Sequence, residues 1–370
     1  MLELLLILAL TLIHFGVPLT YYLYLKTVWF KKPWNVKRDP GYKPKVTVIV
    51  PTYNEVAFVE SKLDDIAGQE YPRGLLEVIV VDSRSSDGTL DIVEKWAKAH
   101  SDVRLVIVRE SVRRGKAYAL NNALRYASGD IIVVTDADSI WSSPKTLENA
   151  MSWFNDLSVG AVTCLKKPVN PGFTGIEEGY REFYNIVRVS ESKAWSTPIF
   201  HGELAAFRRD LLEGVGGFPL DLGADDSHTA TLIAIKGYRA IAVDNVLCLE
   251  AIPRRGYHMW RVRRAQHLIQ HFTRIIRYVV KAPRRLKPIL VVESYLHIVN
   301  PWLLPIATTI LVYEAVNGVL LATIPLAMTV PLLSYKPFRT WIATQLYLVV
   351  ACARNLWTRE IAWEKPVKYV

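Results

Sequence analysis

Four runs of apolar and β-branched residues, VTVIV at 46–50, LEVIVV at 76–81, VRLVIV at 103–108 and IIVVT at 131–135, are each followed by a segment of helical length. Continuous rather than alternating hydrophobicity marks strands buried on both faces. Alternation of such strands with helices predicts an α/β unit, residues 40–250, built on a mainly parallel central sheet. Ligands of such sheets bind beyond the carboxyl ends of the strands. Outside this unit the pattern changes. Residues 1–25, MLELLLILALTLIHFGVPLTYYLYL, contain one acid, Glu3, and no Lys or Arg. At ~1.5 Å per residue they are long enough to cross a hydrocarbon core ~30 Å thick. The segment lacks a basic start and a small-residue cleavage site and ends in Tyr21, Tyr22 and Tyr24, so it reads as a retained span rather than a signal peptide. Residues 295–313 and 316–334 predict two more spans joined by Glu314 and Ala315. The remainder, 338–370, holds a short apolar stretch, re-entrant, interfacial or spanning, and a tail.

Composition agrees with a membrane component: 51 % of the 370 residues are hydrophobic and the mean hydropathy is +0.16. Lys26, Lys31, Lys32, Lys37 and Arg38 follow the first span, which by the positive-inside rule sets the α/β unit in the cytoplasm of a multi-pass protein, with the plasma membrane as the expected location. The net charge of +10 is uneven. Residues 254–287 carry eleven Lys or Arg and no acid, interleaved with Trp260, Leu268, Ile269, Phe272, Ile275, Ile276, Val279 and Val280. That composition predicts a helical segment in the headgroup region of an anionic bilayer. Nucleic-acid binding is the rival reading of a basic patch. Flanking spans favour the bilayer, and no nucleic-acid partner is expected. Cys164, Cys248 and Cys352 are too few and too scattered for a disulfide framework or a zinc site and read as buried small hydrophobes in a reducing compartment.

The chemistry-bearing residues lie just after the predicted strands. Pro51-Thr52-Tyr53-Asn54-Glu55 follows the first, and Asp82-Ser83-Arg84-Ser85-Ser86-Asp87-Gly88-Thr89 the second. Asp82 can accept hydrogen bonds from a base or ribose, or cap a turn. Lys116, in Arg113-Arg114-Gly115-Lys116, stands at a helix start, where its charge opposes the helix dipole; an anion such as a phosphate would satisfy both. Asp136 and Asp138 end the fourth strand, where two carboxylates either hold a divalent cation or form an ordinary strand-end turn. A strand-end acid, a helix-start lysine and an acid pair are together parts for holding a nucleoside diphosphate.

The succession VPTYNE, VVDSRSSDGT, RGKAYALNNAL and TDAD resembles the family-two glycosyltransferases, continuing through HGELAAFRRDLLEGVGGF at 201–218 and GADDSHTATLIAIKGYRA at 223–240. It covers roughly residues 45–270. The resemblance implies a GT-A nucleotide-binding fold. It also implies inverting transfer from a UDP- or GDP-sugar, with Mg²⁺ or Mn²⁺ stabilising the leaving diphosphate. Carried over by position, Pro51, Tyr53, Glu55 and Asp82 surround the nucleoside and Lys116 lies nearby, while Asp136 and Asp138 engage sugar nucleotide and metal. The membrane arrangement is similar to that of the polymerising and lipid-glycosylating branches.

Asp225-Asp226 opens a helical pattern, where two acids are good dipole partners. In relatives the second acid is the general base, which assigns to Asp226 the removal of a proton from the acceptor. A lipid phosphate is already ionised and needs no base, so this assignment favours a hydroxyl of a lipid or glycan over a polyprenyl phosphate. His201 and Glu203 occupy the region lining the acceptor side in relatives, together with Asp225. One departure stands out. Cellulose, chitin and hyaluronan synthases and ceramide glucosyltransferases carry Gln or Arg, two variable residues, then Arg-Trp. Here Trp260-Arg261-Val262-Arg263-Arg264-Ala265 keeps the two arginines, Arg261 and Arg264, without the following tryptophan. Those arginines are candidates for clamping diphosphate or a lipid headgroup.

Overall fold

A computed structural model describes residues 2–169, 176–253 and 255–359. Met1 of the first expected span, Arg254 of the basic segment and residues 360–370 of the tail lie outside the described residues.

The sheet has eight strands: β1 (Val46–Thr52), β2 (Leu76–Asp82), β3 (Arg104–Arg109), β4 (Ile131–Val134), β5 (Ser139–Trp141), β6 (Val159–Pro168), β7 (Ala205–Arg208) and β8 (Arg239–Glu250). Their order is β3-β2-β1-β4-β7-β6-β8-β5. The first four pair in parallel, with Val48 between Val78 and Val133. β7 runs antiparallel between β4 and β6, β6 and β8 are parallel, and β5 is an antiparallel edge. Successive side chains alternate faces, so β1 feeds two cores. Val46, Val48 and Val50 pack with Leu63, Ile66, Val93 and Trp96 on one side. On the other, Ile49 joins Leu120, Ala123, Ile233 and Leu286. The expected mainly parallel sheet, covered on both faces, is present.

Two helical stretches, Glu3–Phe30 and Lys287–Val316, are long and apolar enough to cross a membrane. They pack together, with His14 Nδ1 3.0 Å from the Asn300 carbonyl, and Trp341 of the C-terminal helix Lys336–Arg354 donates from Nε1 to His14 Nε2 at 3.1 Å. The expected span at 316–334 is instead a helix of only 13 residues, Leu320–Leu332, containing Pro325 and Pro331. At ~1.5 Å per residue it is too short for a hydrocarbon core. The expected span at 295–313 begins earlier, at Lys287.

The basic segment departs from its expected interfacial placement. Within the helix Tyr257–Ile275, Trp260, Ile269, Phe272 and Ile275 are buried against protein. Val262, Ala265 and Ile269 meet Leu348 and Ala351 of the C-terminal helix Lys336–Arg354. The short apolar stretch is therefore a packing helix. Apolar groups are left outside at Met259 near the start of the helix Tyr257–Ile275 and, in the turn that follows it, at Ile276, Tyr278 and Val280, beside exposed Arg277 and Lys281.

A buried ion cluster ties the helices to the α/β unit. Arg188, on the helix Ile176–Ala194, lies 2.7 Å from Glu191 and 3.1 Å from Glu293, all three essentially inaccessible. Tyr21 and Thr197 each donate to Glu191 at 2.8 Å. Arg188→Met leaves two buried carboxylates without their cation, a change that costs about 3–5 kcal/mol. A clear drop in the denaturant midpoint in detergent is the expected result; an unchanged midpoint would show that the cluster is dispensable for folding.

Candidate active site

A cavity of about 750 Å³ opens at the carboxyl ends of β1 and β4, and its lining gathers Pro51, Tyr53, Glu55, Lys116, Asp136, Asp138, His201, Glu203, Asp225, Asp226, Arg261 and Arg264. Residues far apart in sequence meet here: Pro51, Tyr53, Glu55, Asp136 and Asp138 lie at or after strand ends, Lys116 and Asp225-Asp226 open helices, His201 and Glu203 precede the antiparallel β7, and Arg261 and Arg264 come from the helix Tyr257–Ile275. Asp82 alone among the candidates does not line the cavity. Its carboxylate accepts from Thr52 Oγ1 at 3.2 Å, from the Ser85 amide at 2.9 Å and from Ser85 Oγ at 2.5 Å. It therefore shapes the loop after β2. Asn54, with φ 53°, turns the chain out of β1; its amide donates to Ser85 Oγ at 2.9 Å and its side chain accepts from the Ser86 amide at 2.9 Å. Arg113 covers the Tyr53 ring at 3.7 Å, making a cationic, aromatic wall.

On the floor, Lys116 Nζ lies 2.7 Å from Asp136 Oδ1. Lys116 is the first residue of the helix Lys116–Leu124. Burial alone would lower its pKa, but the charges of Asp136, Asp225 and Asp226 raise it. The Asp136 amide donates to the Gly202 carbonyl at 2.9 Å. A Cβ on Gly202 would lie 2.8 Å from both Asp136 Oδ2 and Lys116 Nζ, so this glycine allows the backbone to close over the pair.

Asp225 and Asp226 open the helix Asp225–Ile235. Asp225 is buried and its Oδ2 has no hydrogen-bond partner. Burial raises its pKa against the pull of Lys116. Asp226 faces the cavity, its Oδ1 accepting from the Ser227 amide at 2.6 Å. Burial first and then the charge of Asp225 push it up to about 7, with Lys116 opposing. A carboxylate poised there can take a proton near neutrality. His201 is held well below the ordinary imidazole range by burial and by Lys166, Arg181 and Arg264, against the pull of Glu250, and is neutral.

The far wall is a charge network that the sequence did not disclose. Lys166, a lysine within the buried strand β6, lies 2.9 Å from Glu203 and 3.0 Å from Glu250 at the end of β8. Arg181 lies 2.5 Å from Glu250, and Arg264 also binds Glu250. Although burial would raise it, Arg181, Arg264 and Lys166 hold the Glu250 carboxyl well below the usual range. Arg261 lies 2.9 Å from Glu177 and over the Tyr180 ring at 4.1 Å. Both candidate clamp arginines are thus already paired with carboxylates. No tryptophan follows Arg264, but Trp260, about one helical turn before Arg264, lines the cavity with the Arg264 guanidinium 4.7 Å from its ring centre. A lysine inside a buried apolar strand was the one signal that could have revealed this network.

Among the described residues no three His, Cys, Asp or Glu side chains converge as a ready-made metal site. Asp136 and Asp138 nevertheless fit a hard cation of the Mg²⁺ or Mn²⁺ kind, which typically takes one or two carboxylates and completes its shell with substrate phosphates and water. Both residues line the cavity, which provides room for such a partner.

The profile described as glycosyl transferase family 2 matches residues 47–216. The chain is 56 % identical to a mannosyltransferase from Pyrobaculum calidifontis, solved in complex with GDP-Man and Mn²⁺, with a TM-score of 0.90 over 96 % of this chain and 99 % of that one. It is 31 % identical over 218 residues to the glycosyltransferase AglE of Haloferax volcanii, covering 57 % of this chain and 68 % of that protein. It is 26 % identical over 261 residues to the poly-beta-1,6-N-acetyl-D-glucosamine synthase of Staphylococcus epidermidis, covering 69 % of this chain and 62 % of the synthase. The chain thus spans under two thirds of the length of that relative. With its strand-end motifs on a GT-A-type sheet, the chain belongs to glycosyl transferase family 2 and is a nucleotide-sugar glycosyltransferase.

Proposed function

We propose that the chain is a membrane-integrated, metal-dependent, inverting mannosyltransferase that moves mannose from GDP-mannose to a hydroxyl of a membrane-associated lipid or glycan. The observation that carries this reading is the convergence in one cavity of Lys116, Asp136 and Asp138 with Asp226. The choice of donor and ion is supported by the likeness to the 56 % identical mannosyltransferase solved with GDP-Man and Mn²⁺.

Pro51, Tyr53 and Glu55 would line the nucleoside, and Asp82 would hold their loop. Lys116 would meet the diphosphate, and Asp136 with Asp138 would hold the metal. When bound, Mn²⁺ or Mg²⁺ supplies positive charge against the charge developing on the leaving diphosphate. Asp226 takes the proton of the acceptor hydroxyl; the oxygen attacks the anomeric carbon from the face opposite the diphosphate, the carbon–oxygen bond to phosphate breaks, and GDP leaves. A base pushed up to about 7 is consistent with a hydroxyl acceptor, because an ionised phosphate needs none. His201, Glu203, Asp225, Arg261 and Arg264 would border the acceptor and the transferred sugar.

The two long apolar stretches would anchor the catalytic domain at the cytoplasmic face, with Ile276, Tyr278 and Val280 in the basic turn dipping into the headgroup layer. The proposed domain division keeps residues 1–25 as anchor and 40–250 as catalytic domain, with the 254–287 segment mostly a packing element.

A thermal-shift panel of GDP, UDP and their sugars with and without Mn²⁺ tests the donor. A shift with GDP-mannose that requires metal is expected, since a ligand at a hundred times its Kd stabilises by about 2.7 kcal/mol. Equal shifts with UDP-sugars, or shifts indifferent to metal, would contradict the reading. The base predicts a pH profile as well. Asp226 works only when ionised, so kcat/KM should rise with pH through about 7 and level off above it; a profile flat from pH 5.5 to 8.5 would remove Asp226 from the role.

A further inference from the structure

We propose that Lys116 is a built-in counter-cation that holds Asp136 in place of a divalent ion until the ion arrives with the donor diphosphate, so that metal and nucleotide bind as one coupled unit. This rests on the reading of Asp136 and Asp138 as metal ligands. The ammonium of Lys116 lies 2.7 Å from Asp136 Oδ1, and the two side chains are 22 % and 35 % exposed, so the pair is reachable from the cavity. A lysine at the first residue of a helix is set against the helix dipole, so its position is explained by the carboxylates it faces rather than by the helix.

The pair is also fixed on its other side. The Asp136 amide is bound to the Gly202 carbonyl, and a Cβ at residue 202 would meet both charged groups at 2.8 Å. A free divalent ion approaching Asp136 therefore meets a positive charge already seated there. It would also find no third His, Cys, Asp or Glu among the described residues to complete a protein-only shell. A nucleoside diphosphate removes both obstacles: its oxygens give Lys116 a new partner and supply the ion with further ligands. Lys116 exchanges carboxylate for phosphate while Asp136 exchanges ammonium for metal. By linkage, the factor by which nucleotide tightens metal binding equals the factor by which metal tightens nucleotide binding.

Mn²⁺ binding to the full chain in detergent, read from the electron paramagnetic resonance of the free ion with and without GDP, tests the device without any turnover. The wild type should bind Mn²⁺ alone weakly and at least tenfold more tightly with GDP. Lys116→Met should bind Mn²⁺ alone at least tenfold more tightly than the wild type, with the enhancement by GDP reduced to the part that comes from the diphosphate oxygens ligating the ion. Lys116→Arg, which keeps the charge, should retain the enhancement. Gly202→Ala, which pushes the pair apart while leaving both charges in the chain, is the second variant; it should also strengthen binding of Mn²⁺ alone and serves if Lys116→Met does not fold. A folded Lys116→Met chain that binds Mn²⁺ alone no better than the wild type, yet binds it with GDP, overturns the proposal and leaves the metal reading standing. Absence of Mn²⁺ binding by the wild type even with GDP overturns the metal reading and this proposal with it.

Discussion

Asp226→Asn is expected to lower kcat by about 10²–10⁴-fold, the usual worth of a positioned general base, while leaving GDP-mannose binding near the wild-type level. Asparagine keeps the shape and can still accept from the Ser227 amide, as Asp226 Oδ1 does at 2.6 Å, but cannot take the acceptor's proton. The prediction separates Asp226 from its neighbour. Asp225 is buried, with one oxygen lacking a hydrogen-bond partner, so Asp225→Asn changes a packed wall and should disturb binding as well as turnover. Steady-state kinetics with donor binding measured in parallel would distinguish them. Transfer by Asp226→Asn at near wild-type rate would show that the acceptor arrives already ionised or that another group is the base.

The second large effect is expected at Asp136. Asp136→Asn removes the partner of Lys116 and one of two proposed metal ligands, and about 10²–10³-fold in kcat/KM should go with them, the scale for losing one element of electrostatic stabilisation at a reacting centre. Unlike Asp226→Asn, this variant should also lose the metal-dependent part of donor binding. Titrating Mn²⁺ into the donor-binding assay reads that directly. Donor binding that remains as metal-dependent as in the wild type would transfer the metal role away from Asp136.

Much of this was legible in the chain because the sheet is of a kind that sequence patterns report well. Buried parallel strands are continuous apolar runs, and β1 to β4 fall where those runs lie, each within two residues of the expected ends. The same topology delivers Tyr53, Lys116 and Asp136 to one sheet edge, so strand-end residues could be read as a site before their distances were known. Two strands of the second half of the sheet were not legible. β5 has three residues and β7 has four, too short to leave a periodicity, and β7 reverses direction between β4 and β6.

Charge pairing was hidden for a different reason. Lys166, Glu203, Glu250, Arg181 and Arg264 come from five separate elements or turns, and nothing local in the sequence tells a buried paired arginine from a solvent-facing one. Arg261 and Arg264 were therefore expected to clamp a ligand, whereas they bind Glu177 and Glu250. Amphipathic patterning was equally blind to what covers an apolar face. In residues 257–275 the apolar stripe suited a bilayer surface, and the C-terminal helix with Leu348 and Ala351 covers much of it instead. Length misled at 316–334, where Pro325 and Pro331 sit in a helix of 13 residues and Gly318, at φ 84°, lies just before it.

The most direct test of the central claim is transfer of labelled mannose from GDP-mannose into the membrane fraction, followed with Mn²⁺ present, after chelation, and after Mn²⁺ is restored. Incorporation with Mn²⁺, its loss on chelation and its return with the ion are the expected results. Undiminished incorporation after chelation, or none from GDP-mannose under any of the three conditions, would contradict the claim.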